Sequence, residues 1–256
     1  VPNFRILTSL LALLLFSRVA LADVICDGVD DDMDTGVAIS NFLSVSAGTM
    51  MLWYKPTGTA SAGVPSPDCY FGEYLLGNME DSGATYVGIS RNGNISSTDR
   101  LCVYNDSGSF QQILSTYTVD VWTHLAWVHT GGNLLMYKDG AQVSSTSSGD
   151  TESLANKVRL CNGAPAFAAM GEGVIGHASI FSTGLSAGEI AAIAGSRLHR
   201  IASSAPSADW EFGSCSDGAS CDTQTFADRS GNGRTLTAAG TTGAASAFIT
   251  YPWGVE

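Results

Sequence analysis

Trp122-Thr123-His124-Leu125-Ala126-Trp127-Val128-His129, followed three residues later by Asn133-Leu-Leu-Met-Tyr-Lys-Asp139-Gly140-Ala-Gln-Val143, is the stretch that decides the fold. In an extended chain, alternate residues share a face. Trp122, His124, Ala126 and Val128 therefore lie on one side, and Thr123, Leu125, Trp127 and His129 on the other. Bulky groups on both sides predict a central strand covered on both faces, with its histidines near the edge of the packed region. His124 and His129 are five residues apart, face opposite sides and do not jointly hold a metal. Asp139-Gly140 sits between two strand-like runs. Gly accepts positive φ and Asp tolerates it, so the pair predicts a tight hairpin.

Outward from this hairpin the chain reads as short strands separated by Gly, Asn, Asp and Ser. Candidates are residues 49–54, 85–90, 101–104, 110–116, 134–138, 141–145, 158–161, 174–181, 209–212 and 248–251. Cys26 to Asp32 reads as a turn-rich acidic stretch, and 57–67 as a Gly/Ser/Pro loop. Many short strands at near-regular spacing predict an all-β sandwich of two antiparallel sheets. One helix stands out near residues 186–199. Ser186 and Glu189 form a capping box, Leu185 and Ile190 a hydrophobic staple, and Arg197, His199 and Arg200 suit the C-terminal end of the helix dipole. It is expected to lie across an opening of the sandwich.

Arg5, the apolar run Ile6 to Phe16, and Ala20-Leu21-Ala22 have the layout of a secretory signal peptide over residues 1–22. The run is too short to span a bilayer. The expected domain is 23–256, with residues after about 208 either completing it or beginning a truncated extension. This mature part has 10 basic and 24 acidic residues, a formal charge of −14. That balance disfavours nucleic acid as a partner. All six cysteines, Cys26, Cys69, Cys102, Cys161, Cys215 and Cys221, fall in it. An even count behind an export signal reads as disulfides. Cys215 with Cys221 is the attractive local pair, since Asp217-Gly218 turns the chain between them; spacing leaves the others open. A thiolate zinc site wants close cysteine pairs, and the chain has one loose pair.

Among motifs of catalysis, no His-Glu-x-x-His or phosphate loop occurs. Glycoside cleavage needs paired carboxyls. Glu152 and Glu172 stand in Ser/Thr- and Gly-rich surroundings and read as solvated turns. The acidic residues Asp27, Asp30, Asp31, Asp32 and Asp34 are the best cation candidates, with Ca²⁺ as the hard ion they suit. Asp228 is expected to join Asp27 if the chain ends adjoin. Sugar binding needs an aromatic platform with convergent hydrogen bonders. Tyr70, Tyr74, Tyr86 and Tyr104, near turns or strand ends, are the candidates, while Trp53, Trp122, Trp127 and Trp210 read as core. Asn94-Ile-Ser96 and Asn105-Asp-Ser107 are glycosylation sequons in a host that uses them.

Cys-Asp-Gly-Val-Asp-Asp (26–31), Thr-Met-Met-Leu-Trp-Tyr-Lys-Pro (49–56), Trp-Thr-His-Leu-Ala-Trp-Val (122–128), Leu-Met-Tyr-Lys-Asp-Gly (135–140) and Ile-Phe-Ser-Thr-Gly-Leu-Ser-Ala-Gly-Glu-Ile (180–190) occur in an order that resembles laminin-G-like, concanavalin A-like jelly rolls kin to pentraxins. Ala-Asp-Trp-Glu-Phe (208–212) and Asp-Arg-Ser-Gly-Asn-Gly (228–233) extend the likeness. The resemblance implies a two-sheet jelly roll, and by association an exported, non-enzymatic module that binds a carbohydrate or a surface protein, with structural calcium at a sandwich edge. It would be secreted, periplasmic or at the cell surface. The alternatives are a structural module of an envelope, filament or shell without a small ligand, and an atypical glycan hydrolase.

Overall fold

The computed structural model describes residues 24–27, 32–58, 72–78, 86–92, 100–106, 110–150, 156–161, 171–196, 202–212 and 225–239. In chain order the strands are β1 (Val24–Asp27), β2 (Asp32–Ala38), β3 (Gly48–Lys55), β4 (Glu73–Gly77), β5 (Val87–Asn92), β6 (Arg100–Asp106), β7 (Phe110–Thr116) and β8 (Thr123–Thr130). There follow β9 (Asn133–Lys138), β10 (Ala141–Ser147), β11 (Lys157–Leu160), β12 (Glu172–Phe181), helix α1 (Ala187–Ser196), β13 (Ala208–Glu211), β14 (Thr225–Phe226) and β15 (Leu236–Ala239). They form two antiparallel sheets. The first runs β1-β12-β3-β8-β9-β10, with β13 also on β12; the second runs β14-β15-β2-β11-β4-β5-β6-β7. This is the jelly-roll sandwich that the sequence predicts.

Alternation decides which side chains meet. Met50, Leu52 and Tyr54 of β3, Leu125 and Trp127 of β8, and Ile175, Ala178 and Ile180 of β12 face inward. They pack in one core with Leu75, Leu76, Val87, Ile89, Leu101, Val103, Val158 and Leu160 of the second sheet. Trp127 Nε1 donates to Tyr104 O at 2.8 Å, so the buried indole N–H is satisfied across the sheets. The opposite residues, Met51, Ala126, Val128, Tyr137 and Phe181, pack with Leu185, Ile190 and Ile193. Strand β8, between β3 and β9, is buried along seven of its eight residues.

Two expectations change here. The helix covers the outer face of the first sheet, not an opening of the sandwich, because Ile190 and Ile193 need an apolar surface and that face supplies it. His124 and His129 are fully buried, not near the edge of the packed region. Burial, with His177 nearby, lowers the His124 pKa to about 3, so its ring is neutral.

The hairpin forms at Asp139-Gly140, both at positive φ, 51° and 81°. Asp139 Oδ1 accepts from His124 N at 2.9 Å, and Asp139 N donates to His124 O at 2.8 Å. A Cβ on Gly140 would come within 3.1 Å of Ala191 Cα, so the helix rests on this turn. The capping box is present: Ser186 N and Oγ both donate to Glu189 Oε2, at 2.8 and 2.7 Å. The helix is described as far as Ser196; Arg197, His199 and Arg200 lie outside the described residues.

The acidic stretch read as a turn holds β1 and the start of β2. Strand β4 was not expected. After residue 208, β13 adds to β12 and β15 adds to β2, so the tail contributes to both sheets. The strand expected at 248–251 and the leader at 1–22 lie outside the described residues. Cys26 on β1 bonds Cys161, just past β11, with Cα atoms 5.8 Å apart and a sequence separation of 135. That link ties the edge of the first sheet to the middle of the second. Cys102 is also disulfide-bonded, to a partner outside the described residues. Cys69, Cys215 and Cys221, with the expected local pair, lie outside them too.

Glu189 also binds the chain beyond the helix, accepting from Ser203 N at 2.8 Å. Hydrogen bonds from Ser203 and then Ser186 lower its pKa from 4.5 to about 2. A carboxylate held below its unfolded pKa stabilises the fold above that value and loses this effect as pH falls through the folded one. The stability gap between the native chain and Glu189→Ala is therefore expected to be full above pH 4.5 and to close as pH falls toward 2. Denaturant melts across that range measure it. Ser186→Ala is expected to cost about 1 kcal/mol at neutral pH.

Candidate functional site

The outer face of the second sheet collects most of the residues with binding chemistry. Strand pairing lines up one cross-strand row: Thr237, Asp34, Arg159, Gly77, Gly88, Tyr104 and Gln112. A second row beside it places Tyr74 next to Ser90 and Cys102. Met33, Leu76, Val103 and Leu160 on the same strands face the core, so these rows face away from it. Tyr86 immediately precedes β5 and, by alternation with inward Val87, belongs to this face.

Three of the four expected tyrosines thus come together. Tyr74 and Tyr104 rings meet edge to face, 6.3 Å between centroids. The Tyr104 phenol lies across Gly88, where a Cβ would stand 2.6 Å from the phenol oxygen and 2.8 Å from Leu76 O. Glycine is required there by this close approach. Tyr74, Tyr86 and Tyr104 are only 3%, 4% and 0% exposed. They form a covered aromatic floor, not the open platform that the sequence suggests. Tyr70 lies outside the described residues.

Beside the floor lies a strip of paired charges. Arg159 bonds Asp32 at 2.8 Å and approaches Asp34 at 3.8 Å, and Lys157 reaches Asp34 at 3.3 Å. The Arg159, Asp32 and Asp34 side chains are 18–22% exposed. Outward Asp32 and Asp34 alternate with inward Met33, which is why acidic residues that read as a turn lie on a strand.

The joint calcium site expected from Asp27 and Asp228 is not what the strand register supports. Asp27 is opposite Glu172, whereas Asp228 bridges to Trp210, which is opposite Ala178. Six residues of β12 separate the two, about 20 Å. Asp228 also has both oxygens engaged. Its carboxylate accepts from Asp209 N, Ser230 N, Ser230 Oγ and Arg234 N at 2.8–3.0 Å, clamping the Asp228–Gly233 turn against β13. Asp30 and Asp31 lie outside the described residues. Among those described, no group of three or more His, Cys, Asp or Glu side chains is arranged to hold a metal.

Sequence reading also missed a charged cluster inside one end of the sandwich. Arg91 on β5 is fully buried and bonds Glu73 of β4 through Nε at 2.7 Å and through its terminal nitrogen at 2.5 Å. It reaches Glu172 of β12 at 3.3 Å, and Glu172 N donates to Glu73 at 3.2 Å. Tyr54 of β3 donates its hydroxyl to Glu172 O. Arg91 also reaches the carbonyls of Thr57 and Gly58 at 3.4 Å. Burial opposes its charge, yet Tyr54, Glu73 and Tyr117 around it raise its pKa overall. Burial raises the pKa of Tyr54, keeping its phenol neutral. Glu172 is therefore a strand residue in an inter-sheet ion cluster and not part of a solvated turn; Glu152 lies outside the described residues. The signal available in sequence was weak: Arg91 and Glu73 share no local spacing and meet only through strand pairing.

Asn105 is buried, and its Nδ2 donates to Ser148 Oγ at 2.7 Å. That sequon is closed in the folded chain; Asn94 lies outside the described residues.

The family model described as the concanavalin A-like lectin/glucanases superfamily matches residues 27–191, and the chain belongs to that superfamily. No curated protein matches its sequence. Among solved structures it is similar to domain 4 of AbnA, a GH43 extracellular arabinanase from Geobacillus stearothermophilus, in complex with arabinotriose. The TM-score is 0.50 and the identity 16%, over 67% of this chain and 76% of that one. It is similar to the native heptameric SAP-like pentraxin from Limulus polyphemus at TM-score 0.50 and 11% identity, over 67% of this chain and 81% of that one. Both likenesses are of fold.

Removing one partner of a buried ion pair leaves a stranded charge, which costs about 3–5 kcal/mol. Arg91→Met is expected to destabilise the chain by that amount in chemical denaturation. Adding Glu73→Leu in the same chain is expected to recover most of the loss.

Proposed function

We propose that this member of the superfamily is an exported, non-catalytic carbohydrate-binding module, with its glycan laid along the outer face of the second sheet. The observation that carries the reading is the row Asp34, Arg159, Gly77, Gly88, Tyr104 and Gln112, which joins partly buried donors and acceptors to an aromatic floor. Arg159, Asp32, Asp34 and Gln112 would supply the hydrogen bonds, and Tyr74 and Tyr104 the rigid support beneath. Charges paired within the strip suit a neutral sugar better than an anionic one. The arabinotriose held by the arabinanase domain makes neutral arabino-oligosaccharides the first ligands to try.

A non-catalytic role fits the carboxyls inside the sandwich. Glu73 and Glu172 are both engaged by Arg91, and Glu73 is buried, which leaves neither placed as a free acid or base. Export rests on the leader-like residues 1–22 and is supported by the Cys26–Cys161 disulfide. Calcium enters the proposal as a stabilising ion at Asp27, Asp30 and Asp31, without Asp228. The purely structural reading draws on a single observation, the near-complete burial of Tyr74, Tyr86 and Tyr104.

A glycan array of the mature chain, run with and without chelator, tests this. Binding to neutral oligosaccharides is expected, and Arg159→Ala is expected to weaken it about tenfold, the loss of one charged hydrogen bond. Binding to no glycan would favour the structural role. Binding unchanged by Arg159→Ala would place the ligand on another surface, and loss in chelator would assign the ion a part in it.

A further inference from the structure

We propose that Cys69 and Cys102 form a disulfide on the outer face of the second sheet, and that Cys215 and Cys221 bond each other. Cys102 lies on β6, fully buried and oxidised to a disulfide. Cys26 and Cys161 bond each other, so its partner is one of Cys69, Cys215 and Cys221. All three lie outside the described residues, yet each is tied by a few residues of chain to a side chain or strand of known place. A disulfide needs its Cα atoms within about 7 Å. An extended chain spans at most about 3.6 Å per residue. Reach therefore decides between the three.

Cys102 faces away from the core, since its neighbours Leu101 and Val103 face into it. Register sets it opposite Ser90, and Ser90 opposite Tyr74 of β4. Two strand spacings, about 10 Å, thus separate Cys102 from Tyr74. Cys69 is five residues before Tyr74, an extended length of about 18 Å, so it reaches Cys102 with slack to turn. The flanks of its stretch converge on the same place. Arg91 Nη1 lies 3.4 Å from the carbonyls of Thr57 and Gly58, which precede that stretch. Its Nε donates at 2.7 Å to Glu73, which follows it. Arg91 in turn is opposite Leu101, next to Cys102.

The other two cysteines start from the far edge of the same sheet. Cys221 is four residues before Thr225 of β14. Thr225, Thr237, Asp34, Arg159, Gly77, Gly88 and Tyr104 form one cross-strand row. Six strand spacings, about 29 Å, therefore lie between β14 and β6. Four extended residues and a disulfide cover about 21 Å. Cys215 is three residues past Phe212, whose ring meets that of Phe226 on β14 at 5.1 Å. Its reach from that edge is about 18 Å. Both fall short of Cys102. The Phe212–Phe226 contact instead gathers the two flanks of the stretch that holds Cys215 and Cys221, which suits a local bond between them. The Cys69–Cys102 bond ties the chain ahead of β4 to β6, two strands away, whether or not that face binds a glycan.

Peptide mapping of the oxidised mature chain tests this, with free thiols blocked at mildly acidic pH before digestion. Trypsin together with a protease that cuts before aspartate places all six cysteines on separate peptides. The linked pairs expected are 68–80 with 101–105, 209–216 with 217–221, and 23–26 with 160–197. Cys69→Ser is expected to free one thiol, at Cys102, whereas Cys215→Ser frees Cys221 and leaves Cys102 bonded. Peptide 101–105 joined to either tail cysteine, spread over several partners, or carrying the blocking group would overturn the proposal. The map is read on the native chain, so it decides the pairing even where a serine variant fails to fold.

Discussion

Strand β8 carries bulky side chains on both faces, and both must be covered. Leu125 and Trp127 point into the space between the sheets, while Ala126 and Val128 point the other way. A single sandwich covers only the first set. The second set needs another layer, and α1 supplies it through Ile190 and Ile193. The first sheet is thus the middle layer of three where the helix lies. Burial of large apolar side chains is worth about 1.5–3 kcal/mol each, so a strand with two such faces strongly constrains its neighbours. The Asp139-Gly140 turn, the contact of Gly140 with the helix and the capping box at Ser186 all serve that arrangement.

The second sheet solves a different problem. Its inner face joins the common core, and its outer face mixes aromatic, charged and glycine positions. Gly88 must lack a side chain because Tyr104 lies over it, and Arg159 is tethered because Asp32 and Asp34 flank it. Both features come from cross-strand neighbours far apart in sequence. The same holds for Arg91, which gathers Glu73 and Glu172 from two sheets at one end of the sandwich. Such a cluster contributes less to net stability than its short distances suggest, because desolvation offsets the attraction. Its effect is on specificity of pairing: a slip of β5 against β4 would separate buried Arg91 from Glu73.

The tail shows how one side chain organises a turn. Asp228 accepts four hydrogen bonds and fixes Asp228–Gly233 against β13, while Arg234 stacks over Phe42 at 4.5 Å and Trp210 Nε1 donates to Arg234 O at 2.7 Å. An acidic residue in a Gly/Asn/Ser turn suggests a cation when read alone. With backbone N–H donors around it, the carboxylate already has its positive partners.

Local chemistry determined much of this protein from sequence alone. The two-residue period of 122–129, the Asp-Gly turn, the Ser-x-x-Glu cap and the order of family motifs depend on residues close together in the chain. Strands β7 and β8 and the start of α1 were legible for that reason. Tertiary structure decided what depends on register between distant segments. It sent Asp32 and Asp34 outward on a strand, buried the tyrosines expected at a surface, separated Asp27 from Asp228, and joined Cys26 to Cys161. A strand's own sequence determines which residues share a face. Which strand lies beside it, and what covers that face, is set by closing long loops over a common core, and nearest-neighbour chemistry carries no record of that choice.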